Sequence, residues 1–317
     1  MNNGMPPMKL KTLTLSLVLP AMVLSGLQTS AQMSKSKDFG AKIGAALYLG
    51  DVGSSGSLGV DLNQMRYHVG GSFRNFFSPN LAIQASLTYG QITGSDKNSE
   101  SNENYSRNLS FKNDIIELSA RGEWHFLVIR DVGRSYTYRS DFNMYAFAGI
   151  GAFYNNPKGL LNGNWVALQP LQTEGVSYSK IQPVVPLGIG FHFKFNKHHL
   201  IGWEFGLRKT FTDYIDDVST RYVHHTEFTD PTALALQDRS VELEGSGDPK
   251  FIGSQNYSYG TDPVGTAPRG NSDNKDWYAF TGVTYSYAIR GKKRSFSKSK
   301  YHFSRRKFKR KRSRAKF

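Results

Sequence analysis

The 317-residue sequence contains no cysteine. This absence excludes disulfide bonds, thiolate metal sites, cysteine nucleophiles and a lipid-modified N-terminal cysteine. A chain without thiols suits an oxidising compartment, where an unpaired thiol is a liability.

Long apolar runs are absent after the N-terminus. Residues 10–27 form a mostly apolar stretch that Pro20 interrupts, with Lys9 and Lys11 at its start and a small-residue cleavage sequence after it. Because threonine, serine and proline break the run, it predicts a signal peptide over residues 1–31 and not a transmembrane helix. We expect the mature chain to begin at Gln32 and to be exported.

Acidic residues are absent from residues 292–317, which hold 14 of the 40 Lys and Arg residues. The remainder has 26 basic and 25 acidic residues, so the net charge of +15 belongs almost entirely to this segment. In a cytosolic protein, such cations interleaved with aromatic residues would favour nucleic acid. Export removes nucleic acid as a partner.

For the basic tail, residues 291–317, we expect either an acidic protein surface as partner or a disordered extension that touches lipid headgroups. The ten basic residues proposed to bind a partner are Lys292, Lys293, Arg294, Arg305, Arg306, Lys307, Lys309, Arg310, Lys311 and Arg312.

Between the signal peptide and the tail, alternation with a period of two is the main signal. In residues 116–126, for example, every second residue from Ile116 is apolar, alanine or glycine, and those between are polar. Strands of about ten residues are long enough to cross a bilayer when tilted. Eight strands are predicted: 40–50, 64–76, 81–90, 116–126, 142–154, 185–195, 201–210 and 276–289.

The predicted connections alternate between short and long. Tight links at residues 77–80 and 196–198 and a medium link at 128–141 contrast with the long polar connections 51–63, 91–112, 155–182 and 212–275. Short periplasmic turns and long extracellular loops are typical of outer-membrane barrels, and an even strand count places both ends in the periplasm.

The sequence therefore predicts an all-β fold, an eight-stranded antiparallel transmembrane β-barrel over residues 32–290. A soluble secreted sandwich also alternates, but the export signal, strand length and loop asymmetry favour the barrel. An aromatic girdle is predicted near the strand ends, at Tyr48, Phe76, Phe77, Tyr89, Trp124, Phe126, Tyr154, Phe195, Phe211 and Tyr287.

Charged residues on the polar face should lie in the lumen, since an eight-stranded barrel is just wide enough for side chains to fill it. We expect them to pair as a polar plug and to leave no open pore. The predicted luminal polar cluster is Glu117, Arg121, Glu123, Glu204 and Arg208.

The stretch "TDYIDDV" supplies three carboxylates, Asp213, Asp216 and Asp217, in the predicted extracellular loop 212–275. They could hold Ca²⁺, but the glycine and terminal glutamate of an EF-hand loop are missing. A capped turn, or ion pairs with Lys209 or Arg221, is the favoured interpretation. Contact with another protein is a further hypothesis for this loop.

Catalysis and cofactor binding are not predicted. No serine lies in a nucleophile motif, and a phosphate loop needs a following helix, which the alternation around "GIGAFY" and "PLGIGF" denies. Two alternatives stay open: a small transport or adhesion barrel, and a lipid-modifying barrel enzyme.

Several motifs resemble the PorG-like outer-membrane proteins of the type IX secretion system, over about residues 40–290. The most specific element is "TFTDYIDDVSTRY", which occurs with "TEG" and "RGN" in the family's order. The resemblance implies a barrel that connects the secretion and gliding machinery to a periplasmic ring of PorK and PorN. The motifs are Tyr48–Gly53, Asn143–Gly159, Leu168–Lys180, Gly206–Tyr222 and Arg269–Tyr287.

Overall fold

The computed structural model describes residues 36–53, 64–129, 141–195, 198–253 and 268–290, so the predicted signal peptide and basic tail lie outside the described residues. The strands are β1 Ser36–Leu49, β2 Arg66–Phe76, β3 Leu81–Ser95, β4 Ser110–Ile129, β5 Asp141–Tyr154, β6 Pro157–Leu161, β7 Asn164–Ala167, β8 Ile181–Lys194, β9 His199–Thr210 and β10 Trp277–Arg290. The α-helices are α1 Asn102–Arg107 and α2 Pro231–Gln237. Single 3-10 turns span Asp96–Asn98, Gln169–Leu171, His225–Glu227 and Ser240–Leu243.

Eight of the described strands close into an antiparallel barrel, which confirms the predicted fold. Their order around the wall is β3-β2-β1-β10-β9-β8-β5-β4, and pairing of β3 with β4 closes the circle. The hairpin β6–β7 continues the wall at one end, where β6 pairs with β4. Closure leaves the eight wall strands without a free edge in the membrane.

No helix in the described ranges is both long and apolar enough to cross a membrane.

The two faces of the wall have the polarity of a membrane barrel. On β4, Leu118 and Trp124 face outward and are 63% and 59% exposed, whereas Glu117, Arg121 and Glu123 face inward and are at most 2% exposed. A soluble sandwich would place these charges in water and the apolar residues in its core. The exterior is therefore a lipid-facing surface, as in outer-membrane β-barrels.

Exposed aromatic residues encircle the turn end, where the chain makes its tight connections. They include Phe39, Phe77, Trp124, Phe126, Phe195 and Tyr287. The prediction of Tyr48 as a girdle residue was wrong, because its ring is buried and its hydroxyl contacts carboxyl groups at the other end of the barrel. The girdle suits the headgroup region, where an amphipathic ring contacts both lipid and water.

At the loop end the polarity of the two faces reverses. Ile92, Phe111 and Ile115 face inward and are buried, while Lys112 and Asp114 lie on the outer face. This pattern is that of a protein in water, so these strand ends project beyond the lipid. It explains why β4 begins at Ser110, six residues before the predicted start.

The described parts of the long connections fold over this end, where sequence alone indicated polar loops. We name them the loop cap: residues 50–53, 96–109, 155–180, 211–253 and 268–276. Their apolar residues join inward-facing strand residues in a core. The core comprises Ala46, Tyr48, Val52, Ile92, Leu109, Phe111, Ile115, Phe153, Val184, Ile215, Val218, Tyr278 and Phe280.

We expect the folded chain in detergent micelles to migrate faster on an SDS gel before boiling than after it. A closed wall with a filled interior keeps its compact shape in SDS until heat unfolds it. A band that boiling does not shift, or a chain that stays soluble and monomeric without detergent, would contradict the fold described above.

Candidate functional site

The barrel interior contains an interior charge cluster that is balanced within the described strands. It has four acidic and four basic residues, all almost fully buried. A bare charge in a low-dielectric interior is costly, and balance lets most of these charges pair, although Lys42 Nζ has no hydrogen-bond partner among the described residues. The members are Asp38, Lys42, Arg74, Glu117, Arg121, Glu123, Glu204 and Arg208.

The five predicted luminal residues all lie in this cluster. Arg121 donates both terminal nitrogens to Glu204, with Nη1 at 2.7 Å from Oε1. Arg208 Nε donates to Glu117 Oε2 at 3.2 Å. Two hydroxyls add to Glu117: those of Tyr278, at 2.9 Å, and Ser119, at 3.0 Å. The Arg121 contact is fork-shaped, and both ion pairs are charge-assisted links between β4 and β9, which are not neighbours in the wall.

Glu123 belongs to a second group nearer the turn end. Arg74 donates to it through Nε at 2.6 Å and Nη2 at 3.2 Å, and Asp38 lies 3.9 Å from Arg74 Nη1. Sequence reasoning missed Arg74, Asp38 and Lys42, because β1 and β2 alternate only loosely. The spacing of Asp38 and Lys42 could have revealed them, because residues four apart on a strand face the same side, here the barrel interior.

The carboxylates predicted as an extracellular loop motif are inside the loop cap. Asp213, Asp216 and Asp217 are at most 3% exposed, so their side chains do not reach the surface. The contacts made by the carboxylates are with hydroxyls and backbone amides, while Lys209 lies over the Trp277 ring. Among the described residues, no group of three or more His, Asp or Glu side chains is arranged to hold a metal ion.

Asp217 and Glu174 link two connections of the loop cap. Asp217 accepts hydrogen bonds from the hydroxyls of Thr173 and Tyr178, the latter at 2.6 Å. Glu174 accepts from the backbone amides of Ser219, at 2.9 Å, and Thr220, at 2.8 Å. The "TEG" and "DDVST" segments are thus joined side chain to backbone.

Two buried arginines connect the remaining segments. Arg269 donates to Glu174 Oε1 at 3.0 Å and to the carbonyl of Asp217 at 2.5 Å. Arg107 pairs with Asp96 and donates to the carbonyls of Arg269 and Asp51. The sequence elements "YLGDVG", "TEG", "TFTDYIDDVSTRY" and "RGN" therefore meet in one buried network.

Carboxyl groups in the cap titrate at unusual pH because they are buried. Burial raises the pKa of Asp217 to about 6, against the opposing effect of Arg269. Burial likewise raises the pKa of Asp213 to about 6, although the Ser219 hydroxyl favours its charged form. The cap thus holds carboxyl groups that protonate in mildly acidic solution.

A family model described as "Domain of unknown function (DUF6089)" matches residues 15–229, more than half of the chain. The chain belongs to the DUF6089 family. No match was found among curated proteins.

Solved structures similar to this DUF6089 barrel are outer-membrane barrels of low sequence identity. Ail, the attachment invasion locus protein of Yersinia pestis, is 9% identical over 81% of this chain and 100% of Ail, with a TM-score of 0.34. Neisserial surface protein A is 9% identical over 79% of this chain and 96% of that chain, with a TM-score of 0.35. The N-terminal barrel domain of Pseudomonas aeruginosa OprF is 9% identical over 81% of this chain and 100% of that chain, with a TM-score of 0.33.

We expect Glu204→Gln to lower the free energy of unfolding by about 3–5 kcal/mol, because it leaves the buried Arg121 guanidinium without a charged partner. The matched control is Asp114→Asn, which breaks the partly exposed pair with Lys158 on the outer wall and should cost about 0–1 kcal/mol. Urea unfolding of the folded chain in lipid vesicles measures both. Equal, small losses would show that the interior pair does not stabilise the barrel.

Proposed function

We propose that this outer-membrane barrel is a non-enzymatic component of the type IX secretion and gliding machinery. In this role it anchors a periplasmic ring of the PorK and PorN type and contacts other translocon components. The observation that carries the proposal is the buried network of the loop cap, in which four of the sequence elements that resemble PorG-like proteins come together. Motifs shared with a family support a common role more strongly when their residues contact one another in the folded protein.

The interior supports an anchoring role over transport. Glu117, Glu123 and Glu204 are paired with arginines, and the lumen is filled by these side chains. A structural barrel needs no water-filled channel. The same pairing disfavours an acid–base role for these carboxylates, since catalysis requires a group free to exchange a proton with substrate.

The proposed orientation places the long loops outside the cell and both ends in the periplasm. Tight connections follow β2 and β8 on the same side as the start of β1 and the end of β10. The basic tail, residues 291–317, would then face the ring. Its cations would dock on an acidic surface of the ring through several Arg–carboxylate pairs.

We expect deletion of residues 292–317 to lower the recovery of ring proteins that co-purify with the barrel, because it removes 14 positive charges. A matched variant keeps the length and replaces those Lys and Arg residues with Gln, which separates charge from chain length. Heat-modifiable migration of both variants reports that the barrel is intact. Unchanged recovery at physiological salt would reject docking by the tail.

A small transport or adhesion barrel is the second candidate, and conductance separates it from the anchor. A steady open pore in planar bilayers would contradict the proposal of an anchor with a filled lumen.

A lipid-modifying enzyme is the third candidate. Changed lipid A masses in a deletion strain would favour it.

A further inference from the structure

Tyr48 places its hydroxyl between two carboxyl groups of the loop cap. Its Oη lies 2.5 Å from Asp216 Oδ2 and 2.9 Å from Asp276 Oδ1, and all three residues are buried. Tyr48 lies at the end of β1, Asp216 follows β9 and Asp276 directly precedes β10. The group therefore ties three segments together where they leave the barrel. We name Tyr48, Asp216 and Asp276 the acid–tyrosine latch.

The three oxygens are in direct contact. The Gly50 backbone passes so close that a Cβ there would overlap both Tyr48 Oη and Asp276 Oδ1. This close packing favours direct hydrogen bonds over a bridging ion.

The latch contains one more hydrogen bond than the phenol can supply. A tyrosine hydroxyl has a single proton and can donate to only one acceptor. If both carboxyl groups were ionised, one of the two short contacts would join lone pairs. One carboxyl group must therefore carry a proton and donate it to the Tyr48 oxygen.

The surrounding donors identify which carboxyl group that is. Asp216 accepts from the amides of Val52, at 3.2 Å, and Val218, at 2.9 Å, in addition to Tyr48. Among the described residues, Asp276 accepts one backbone amide, that of Ile215, at 3.0 Å and on Oδ2. Three donors, as on Asp216, suit an ionised carboxylate. One donor on Oδ2 of Asp276 suits a neutral acid whose Oδ2 is the carbonyl oxygen and whose Oδ1 carries the proton.

We infer that Asp276 holds a proton that closes the loop cap. Neutral Asp276 donates to Tyr48, and Tyr48 donates to ionised Asp216. This inference concerns the cap itself and does not rest on the proposed role in secretion.

The electrostatic surroundings support the assignment. Asp51, Arg107 and Tyr178 face Asp216, and Asp213 faces Asp276. Arg107 is already engaged by Asp96 and by the carbonyls of Asp51 and Arg269. Burial raises the pKa of both Asp216 and Asp276 well above the ordinary value, and the charge on Asp216 raises that of Asp276 further. The pair therefore retains a proton, and the donor pattern assigns it to Asp276.

The raised pKa of Asp276 makes closure of the cap depend on pH. A carboxyl group with a raised pKa in the folded state contributes stability that is fully present at low pH and is lost as pH rises through that folded value. The latch should hold the cap closed at low pH and release it as pH rises through the raised pKa of Asp276.

The test compares two acid-to-amide variants, Asp276→Asn and Asp216→Asn, in the full chain folded in detergent micelles. Trypsin cleavage after Arg269, which is buried in the closed cap, reports opening across a pH series, normalised to an unstructured peptide at each pH. Infrared spectroscopy in D₂O reports the carbonyl band of a protonated carboxyl group.

Asp276→Asn should leave the cap as protected as in the parent chain at the low end of the pH series and should weaken the increase in cleavage as pH rises. The amide can donate to Tyr48 and accept from Ile215, as the neutral acid does, and the protonated-carboxyl band should shrink. Asp216→Asn should speed cleavage about tenfold or more, because its amide would oppose an N–H donor. Equal cleavage of the two variants, an unchanged band in Asp276→Asn, or protection that a chelator removes would overturn the inference.

Discussion

The pairing of charges inside the barrel is the constraint on which the rest of the structure depends. The wall is lipid-facing outside, so charged side chains of the spanning segments must turn inward, where water does not solvate them. Arg121 with Glu204, Arg208 with Glu117, and Arg74 with Glu123 satisfy each other across different strands. These contacts tie non-neighbouring strands together across the lumen and fill it.

At the loop end, the strands no longer have an apolar outer face and a charged inner face. There the inward residues become apolar, as at Ile92 and Phe111, and the outward face becomes polar, as at Asp114. One continuous strand thus has an apolar outer face where it contacts lipid and a polar outer face where its end contacts water. The change supplies the core on which the long connections fold, and the buried carboxyl groups of the cap tie those connections to the wall.

The strands and the direction of the charged face were predictable from sequence, because alternation is a local signal and lipid fixes which side is apolar. The alternation of polar and apolar residues along β4 is enough to place Glu117 and Arg121 in the lumen. The partners within the cap were not predictable. The contacts of Tyr48 with Asp216 and of Arg269 with Glu174 join residues far apart in the chain, and their chemistry depends on burial that only the closed fold creates. Arg74 was missed because its strand is interrupted by glycines and alternates weakly.

The absence of cysteine makes the central claim open to a direct measurement. Single cysteines at the adjacent β4 positions Leu118 and Ser119 can carry nitroxide labels in lipid vesicles. The account predicts that the label at Leu118 collides with lipid-soluble oxygen and that the label at Ser119 is shielded from both oxygen and a water-soluble nickel complex. A Leu118 label as accessible to the nickel complex as a label in an exposed loop would contradict it.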